Sequence, residues 1–382
     1  MLARLRNIAG KIEGSEGVIE TLAATDAKTF VYNQKVDLSP EIFSRNLEKN
    51  FFGDLAHLVG KRPGKMSFDC EVKGSGVLTT APDWWRYVQA CGASSNTLKS
   101  ISIGSITNGP FLHGETITGG TSTATGKVIK VTTNGASAIL VVVLTGTFQS
   151  GETITGGTSG ATATTSSTAT NAGMVLLPIT ASVPSLTLGG YQDGIRKYIK
   201  GARGSGRFKF KTGDPTLFSP EFMGVEAGVT DNSIFSGIVP ESILPPVFLN
   251  ATMTADGVAA KISEMDIDLG VILGMRTAPA DNRGILCYSV TDRKSSGSFD
   301  PEMVLVATHD FFGKLFAGTT MELIAKWGSG TGAVLTFYAP AIQYISVGDE
   351  ERDGIATAPC NFRLTSNLGI GNDDWALIQT ST

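Results

Sequence analysis

Polar and apolar residues alternate through KMSFDCEVKG (65–74), setting Met66, Phe68, Cys70 and Val72 on one side and Ser67, Asp69, Glu71 and Lys73 on the other. Successive side chains of an extended chain point to opposite faces, so this period of two predicts a strand with one packed and one wet face. FVYNQKVDL (30–38) and AKISEMDIDL (260–269) carry the same alternation. GRFKFKTG (206–213), GAVLTFYAPAIQYI (332–345) and APCNFRLTS (358–366) read as later strands. Two segments break the period. TAPDWWRYVQACG (80–92) and ATHDFFGKLFAG (307–318) each carry Asp, two adjacent aromatics and an apolar pattern closing on Gly. They predict short helices, with Asp83 and Asp310 placed to satisfy free N–H groups at the helix start. Trp85, Val88 and Cys91 in the first, and Phe312, Leu315 and Phe316 in the second, then form the stripe that packs on a sheet.

These landmarks occur in the same order twice. Asp37 of KVDL and Asp268 of DIDL lie 231 positions apart (268 − 37), as do the two SFD triplets (298 − 67). The helical segments follow at a spacing of 227 (310 − 83). The spacing predicts a tandem pair of β units, each with one short flanking helix. The first is expected in two parts, 1–104 and 173–245, and the second over 246–382.

What divides the first unit is a stretch of different character. Residues 105–172 hold only four charged side chains, Glu115, Lys127, Lys130 and Glu152, amid Gly, Thr, Ser, Ala and Val. The phrase GETITGGTS stands in it twice, at 114–122 and 151–159. Each copy predicts a short strand followed by a Gly-Gly turn. Between the copies, Asn134-Gly135 sits between two β-branched runs and predicts a hairpin turn. A phosphate-cradling loop needs Lys-Ser/Thr after the glycines and then a helix, and neither follows. The segment is expected to be an inserted all-β accessory module.

Composition narrows the function. Hydrophobic residues supply 41 % of the 382, enough for a large core, and the net charge of −4 offers no basic face for gripping phosphates. Cys70, Cys91, Cys287 and Cys360 are scattered without CxxC spacing and read as reduced, buried thiols. His57, His113 and His309 are too dispersed for a metal site, and no nucleophile elbow is present. GARGSG (201–206) and GSGTG (328–332) are followed by β-type runs, which fits turns better than nucleotide cradles. No enzymatic role, cofactor or metal is expected. The longest apolar run, AILVVVL (138–144), is far short of a membrane helix, and the first residues lack a signal-peptide core. A soluble protein assembled in the cytoplasm is expected.

AGKIEGSEGVIETLAATDA (9–27), GKRPGKMSFDCEVKGSG (60–76), APDWWRYVQACG (81–92), DPEMVLVATHDFFGKLFAGTT (300–320) and EERDGIATAPCNFRL (350–364) resemble tail tube (major tail) proteins of long-tailed bacteriophages. The resemblance covers nearly all of the chain outside 105–172. It implies β-sandwich or half-barrel units whose sheets join, chain to chain, into the β-barrel lumen of a ring. Rings stack into a tube that conducts phage DNA during ejection without specific binding. Further partners implied are other tail proteins, including tape measure and tail terminator, and the implied location is the virion tail. Two units per chain make a trimeric, pseudo-sixfold ring the favoured expectation, with six chains per ring the other. Glu264, Asp266 and Asp268 share one strand face and are candidates to line the lumen. The segment 38–64 reads as an arm with Phe51, Phe52 and Leu55 as candidate inter-ring contacts, and 269–284 as its shorter counterpart. The competing expectation is an adhesin-like or carbohydrate-binding surface protein acting through 105–172.

Overall fold

The alternating segments pair into one wall of eight antiparallel strands. In spatial order these are Val31–Asp37, Pro63–Glu71, Leu217–Asp231, Ile195–Lys211, Ile262–Asp268, Ser296–Pro301, Cys360–Leu364 and Val334–Val347. The computed structural model in which they are seen describes residues 2, 5–130, 135–369 and 371–382. It is mainly β, and its α-helices among the described residues are Trp85–Gln89 and Phe311–Ala317.

The first four strands of the wall and the last four share a register. Val31 faces Cys70, Lys35 faces Ser67 and Asp37 faces Lys65. Moved by 231 positions, these pairs become Ile262 with Pro301, Asp266 with Ser298 and Asp268 with Ser296, and all three are present. Even the irregularity recurs, between Tyr32 and Lys35 and again between Ile262 and Met265. The offset continues through the connections. Residues 38–62 fold back with Ile42 opposite Val59 and Phe43 opposite Leu58, and residues 269–293 do so with Leu273 opposite Val290 and Gly274 opposite Ser289. The expectation of a shorter counterpart at 269–284 is therefore corrected. That stretch is only the outgoing limb of a hairpin, Val271–Thr277 with Ile285–Arg293, and the two connections have equal length.

A second layer closes the core behind the wall. It runs Ala93–Ser102, Thr170–Pro178, Ala376–Thr380, the first half of Val334–Val347, Thr320–Trp327 and Thr252–Ala255. Ala376–Thr380 sits between a strand of each half and ties them together. Between the layers, Phe208 packs on Phe218 at 4.7 Å between ring centroids, and Phe210 meets Trp327 edge-on at 5.1 Å. Phe208 and Phe210 come from one half and Trp327 and Phe337 from the other, so the aromatic core crosses the joint. Each such ring, wholly buried, contributes about 1.5–3 kcal/mol.

The two helices depart from expectation in instructive ways. Asp310 does cap its helix, accepting from Gly313 N at 2.7 Å, and Gly318 ends it at φ 63°. Asp83 does not cap; its carboxylate takes the Arg86 guanidinium at 3.0 Å instead. Trp85, Val88 and Cys91 are buried as predicted, but Phe312 and Phe316 are exposed and Phe311 is the inward ring. The cause is a difference in cover. The first helix lies under the strand Arg6–Ile12, whose Gly10 carbonyl accepts from Arg86 and whose backbone abuts Tyr87. Among the described residues no equivalent strand covers the second helix.

The low-charge segment 105–172 builds its own core from Phe111, Ile117, Ala124, Phe148, Ile154 and Ala161, three pairs of residues each 37 apart. The two copies of the phrase pair with each other, Thr118 opposite Thr155. Their glutamates cross over. Glu115 accepts from Thr158 N, Ser159 N and Ser159 Oγ of the second copy at 2.9–3.1 Å. Glu152 accepts from Thr121 N, Ser122 N and Ser122 Oγ of the first at 2.8–3.2 Å. Both carboxylates are buried, and Gly119 and Gly156 admit them; a Cβ there would meet the carboxylate oxygens at 2.6 and 2.7 Å. The phrase is thus a reciprocal clasp, which explains why Glu, Gly and Ser recur at fixed places. Asn134 of the expected Asn-Gly turn lies outside the described residues; the strands flanking it, Thr125–Val128 and Ala138–Thr145, pair with Val128 opposite Val141.

The segment covers the back of the second layer. Along Val334–Val347, Leu335 and Phe337 face the main core, while Tyr338 joins Ile129 and Val142 of the segment in a separate cluster. His113 packs edge-on against Tyr338 at 5.3 Å. The order from front to back is wall, aromatic core, second layer, inserted segment.

Two predictions follow from these contacts. Glu152→Ala leaves the donors of Thr121, Ser122 and Gln149 without their acceptor and costs about 1–3 kcal/mol. Hydrogen exchange then rises at Thr121 and Ser122 while amides of Phe208 and Phe218 keep their protection. Burial holds the His113 imidazole down to about 4, outweighing its hydrogen bond with the Ile129 carbonyl. An unfolded His titrates near 6.5, so the unfolded chain binds the extra proton between those values. Stability is therefore full above about pH 6.5 and falls toward pH 4 by up to about 3 kcal/mol. In pH-dependent denaturation His113→Phe flattens this slope, leaving that of His309, which burial also lowers.

Candidate assembly surface

The wall turns its polar side chains away from the core. On Ile262–Asp268, Met265 and Ile267 are buried, while Glu264 is exposed and Asp266 and Asp268 are half-buried. The three predicted lumen candidates therefore do share one outward face. They do not form a bare acidic stripe. Across the joint, Arg207 stands opposite Asp268, Lys209 opposite Asp266 and Lys211 opposite Glu264. Arg207 reaches Asp268 at 3.1 Å and Asp266 at 3.8 Å. The alternation of GRFKFKTG carried this signal, but which strand it would face is set by a pairing more than fifty residues away in sequence.

Charges of both signs continue along the wall. Lys65 pairs with Glu221 at 2.7 Å, and Arg352 with Asp300. Burial pushes the Asp69 carboxyl up, but hydrogen bonds from Ser219 and Asn33 and the charges of Lys209 and Lys35 outweigh it and hold it below the ordinary value. Ion pairs this exposed add at most about 1 kcal/mol each. Their effect is on the field: opposite signs sit beside each other along this face.

Both borders of the wall are open. Among the described residues, Val31–Asp37 pairs only with Pro63–Glu71. At the other end, Ser346 and Val347 pair with Asn361 and Cys360, and Glu350–Arg352 pairs with Ile355–Thr357, and among the described residues no strand pairs on the far side. Along the outer side of each border, alternate N–H and C=O groups have no strand to bond among the described residues. Alongside Val31–Asp37 runs a groove with cavities of about 690 and 410 Å³, lined by Arg6, Gln34, Lys35 and Phe235 among others.

Two apolar surfaces accompany the borders. The arm 38–62 exposes Ile42, Phe43, Leu47, Phe51 and Phe52, with Leu55 half-buried, so the predicted contact residues stand out from the fold instead of filling its core. The second surface was not foreseen: Leu305, Val306, Phe312 and Phe316 on and before the uncovered second helix. Exposed apolar clusters of this kind are a common feature of interaction surfaces.

His57 lies exposed in the arm, His113 is buried under the inserted segment, and His309 bonds the Tyr344 hydroxyl at 3.1 Å. Among the described residues no group of three or more His, Cys, Asp or Glu side chains is placed to hold a metal ion. All four cysteines are free and buried. No helix among the described residues is long and apolar enough to cross a membrane. A scan against protein-family models and a search of curated proteins found no match to this sequence.

Proposed function

We propose that the chain is a structural virion protein, the self-assembling tail tube subunit of a long-tailed bacteriophage. The observation that carries this reading is the wall itself. Two units of like register already join edge to edge within one chain and leave one open border at each end. Repeating that joint between chains closes the sheet into a ring and leaves no edge strand exposed. With two units per chain, three chains give a pseudo-sixfold ring.

The mixed polar face of the wall then lines the lumen. Acids and bases that neutralise one another release few counterions from a passing duplex, so DNA slides without being held. The inserted segment lies on the back of the second layer and so decorates the outside of the tube. The arm, with Phe51 and Phe52 projecting, bridges to the next ring, where the uncovered surface at Leu305, Val306 and Phe316 offers an apolar seat. Tape measure and tail terminator are the further partners of such a tube.

Negative-stain microscopy of the purified protein over rising concentration tests this. Hollow tubes or rings are expected, and a chain that stays monomeric at every concentration and salt contradicts the proposal. The pair Phe51→Ser and Phe52→Ser changes fold stability by no more than about 0.5 kcal/mol, because both rings are exposed. It is expected to leave rings that fail to stack. Deleting 105–169 should leave tubes intact, whereas a protein acting through that segment would lose a glycan or cell-surface signal and form no tubes at all.

A further inference from the structure

The joint inside the chain serves as a template for the joint between chains, and the template names its residues. This step rests on the ring-forming reading above. In the first half of the wall Ser205 faces Glu221, and Glu221 faces Ser67. In the second half Ser346 faces Asn361, and Asn361 faces Ser298, the residue 231 after Ser67. Ser205 and Ser346 are therefore equivalent positions. Counting on along each ladder, Lys209 faces Leu217 and Glu350 faces Thr357, which makes Glu350 the equivalent of Lys209. On the facing border Lys35 is the equivalent of Asp266, by the same 231.

The central rung of the internal joint is Lys209 opposite Asp266. We propose that the edge Gly348–Arg352 of one copy pairs antiparallel with the edge Val31–Asp37 of a second copy, with Glu350 opposite Lys35. The polarity of the rung is reversed: base to acid inside the chain, acid to base between chains. Either order satisfies the pair, and opposite charges directly across an antiparallel ladder stabilise it while like charges oppose it.

Three observations support this register. Lys35 and Glu350 are both exposed, and neither forms a salt bridge with another described residue of its own chain. The flanking rungs hold no like charges: Gly348 comes opposite Asp37, and Arg352 opposite Asn33. The groove beside Val31–Asp37 supplies the space that an incoming strand needs. Since each chain carries one border of each kind, the contact is head-to-tail and closes by rotation.

A charge exchange tests the register. Lys35→Glu and Glu350→Lys, each alone, set like charges across the rung and raise the concentration needed for ring assembly by about tenfold or more. Combined in one chain they restore an opposite pair and return assembly to near the parental concentration. Thermal unfolding of the unassembled chain shifts only slightly in all three, since both residues are exposed and Lys35 acts on Asp69 only through solvent-screened charge. Single variants that assemble like the parent, or a double variant that is no better than the singles, overturn the register. A second measurement separates this from failure of the ring reading. With Lys35→Cys and Glu350→Cys in one chain, mild oxidation of assembled protein gives disulfide-linked multimers ending at the closed ring, against a background of four buried native thiols. If microscopy shows rings but the link forms only with Gly348→Cys or Arg352→Cys in place of Glu350→Cys, the register is wrong and the ring stands. If no rings form, both fall.

Discussion

A strand at the border of a sheet carries a row of amides and carbonyls that must bond to something, and this constraint shapes the chain at every level. Within the molecule it is met at Arg207–Lys211, where the first half of the wall finds Glu264–Asp268 of the second. It is met again in the second layer, where Ala376–Thr380 lies between Thr170–Pro178 and Val334–Val347. At Val31–Asp37 and Gly348–Arg352 it is left unmet. Water satisfies such groups in an isolated chain, but a second copy satisfies them while also burying the groove beside them.

The internal joint shows what kind of contact is involved. Its backbone ladder is backed by a continuous aromatic core, Phe208 and Phe210 against Phe337 and Trp327, and fronted by exposed ion pairs. The core supplies most of the stabilisation and the ion pairs supply register, since exposed pairs are individually weak. In the proposed assembly a joint between chains would have a ladder and charges to offer, with apolar contact from the arm and the second helix added along the axis of the tube.

Much of this was legible in the sequence, and the reasons for the misses are physical. The offset of 231 was visible in KVDL, DIDL and the two SFD triplets because these set Asp37 and Asp268, Ser67 and Ser298, and the buried Phe68 and Phe299 at matching places in the wall. The equal length of the two arms was not, because 38–62 and 269–293 share register without sharing side chains, and backbone pairing leaves no letter pattern. Asp83 looked like Asp310, yet Arg86 at the next turn captured its carboxylate where Gly313 left Asp310 free to cap. Phe312 and Phe316 fitted a buried stripe, but the strand Arg6–Ile12 that covers the first helix has no counterpart over the second among the described residues. The acids at 264, 266 and 268 were found, but their basic partners belong to a strand distant in sequence. In the inserted segment, two glutamates at the same place in two identical phrases, among only four charges, were the available sign of the clasp.

The most direct measurement is hydrogen exchange followed residue by residue across the concentration at which assembly sets in. If the two open borders join chain to chain, the alternate amides of Val31–Asp37 and Gly348–Arg352 that face outward, Val36 and Glu351 among them, exchange rapidly in dilute protein and become protected together in assembled protein, while those of Arg207–Lys211 are protected throughout. Assembled protein in which both border segments still exchange at the dilute rate would mean that the wall is not completed by its neighbours.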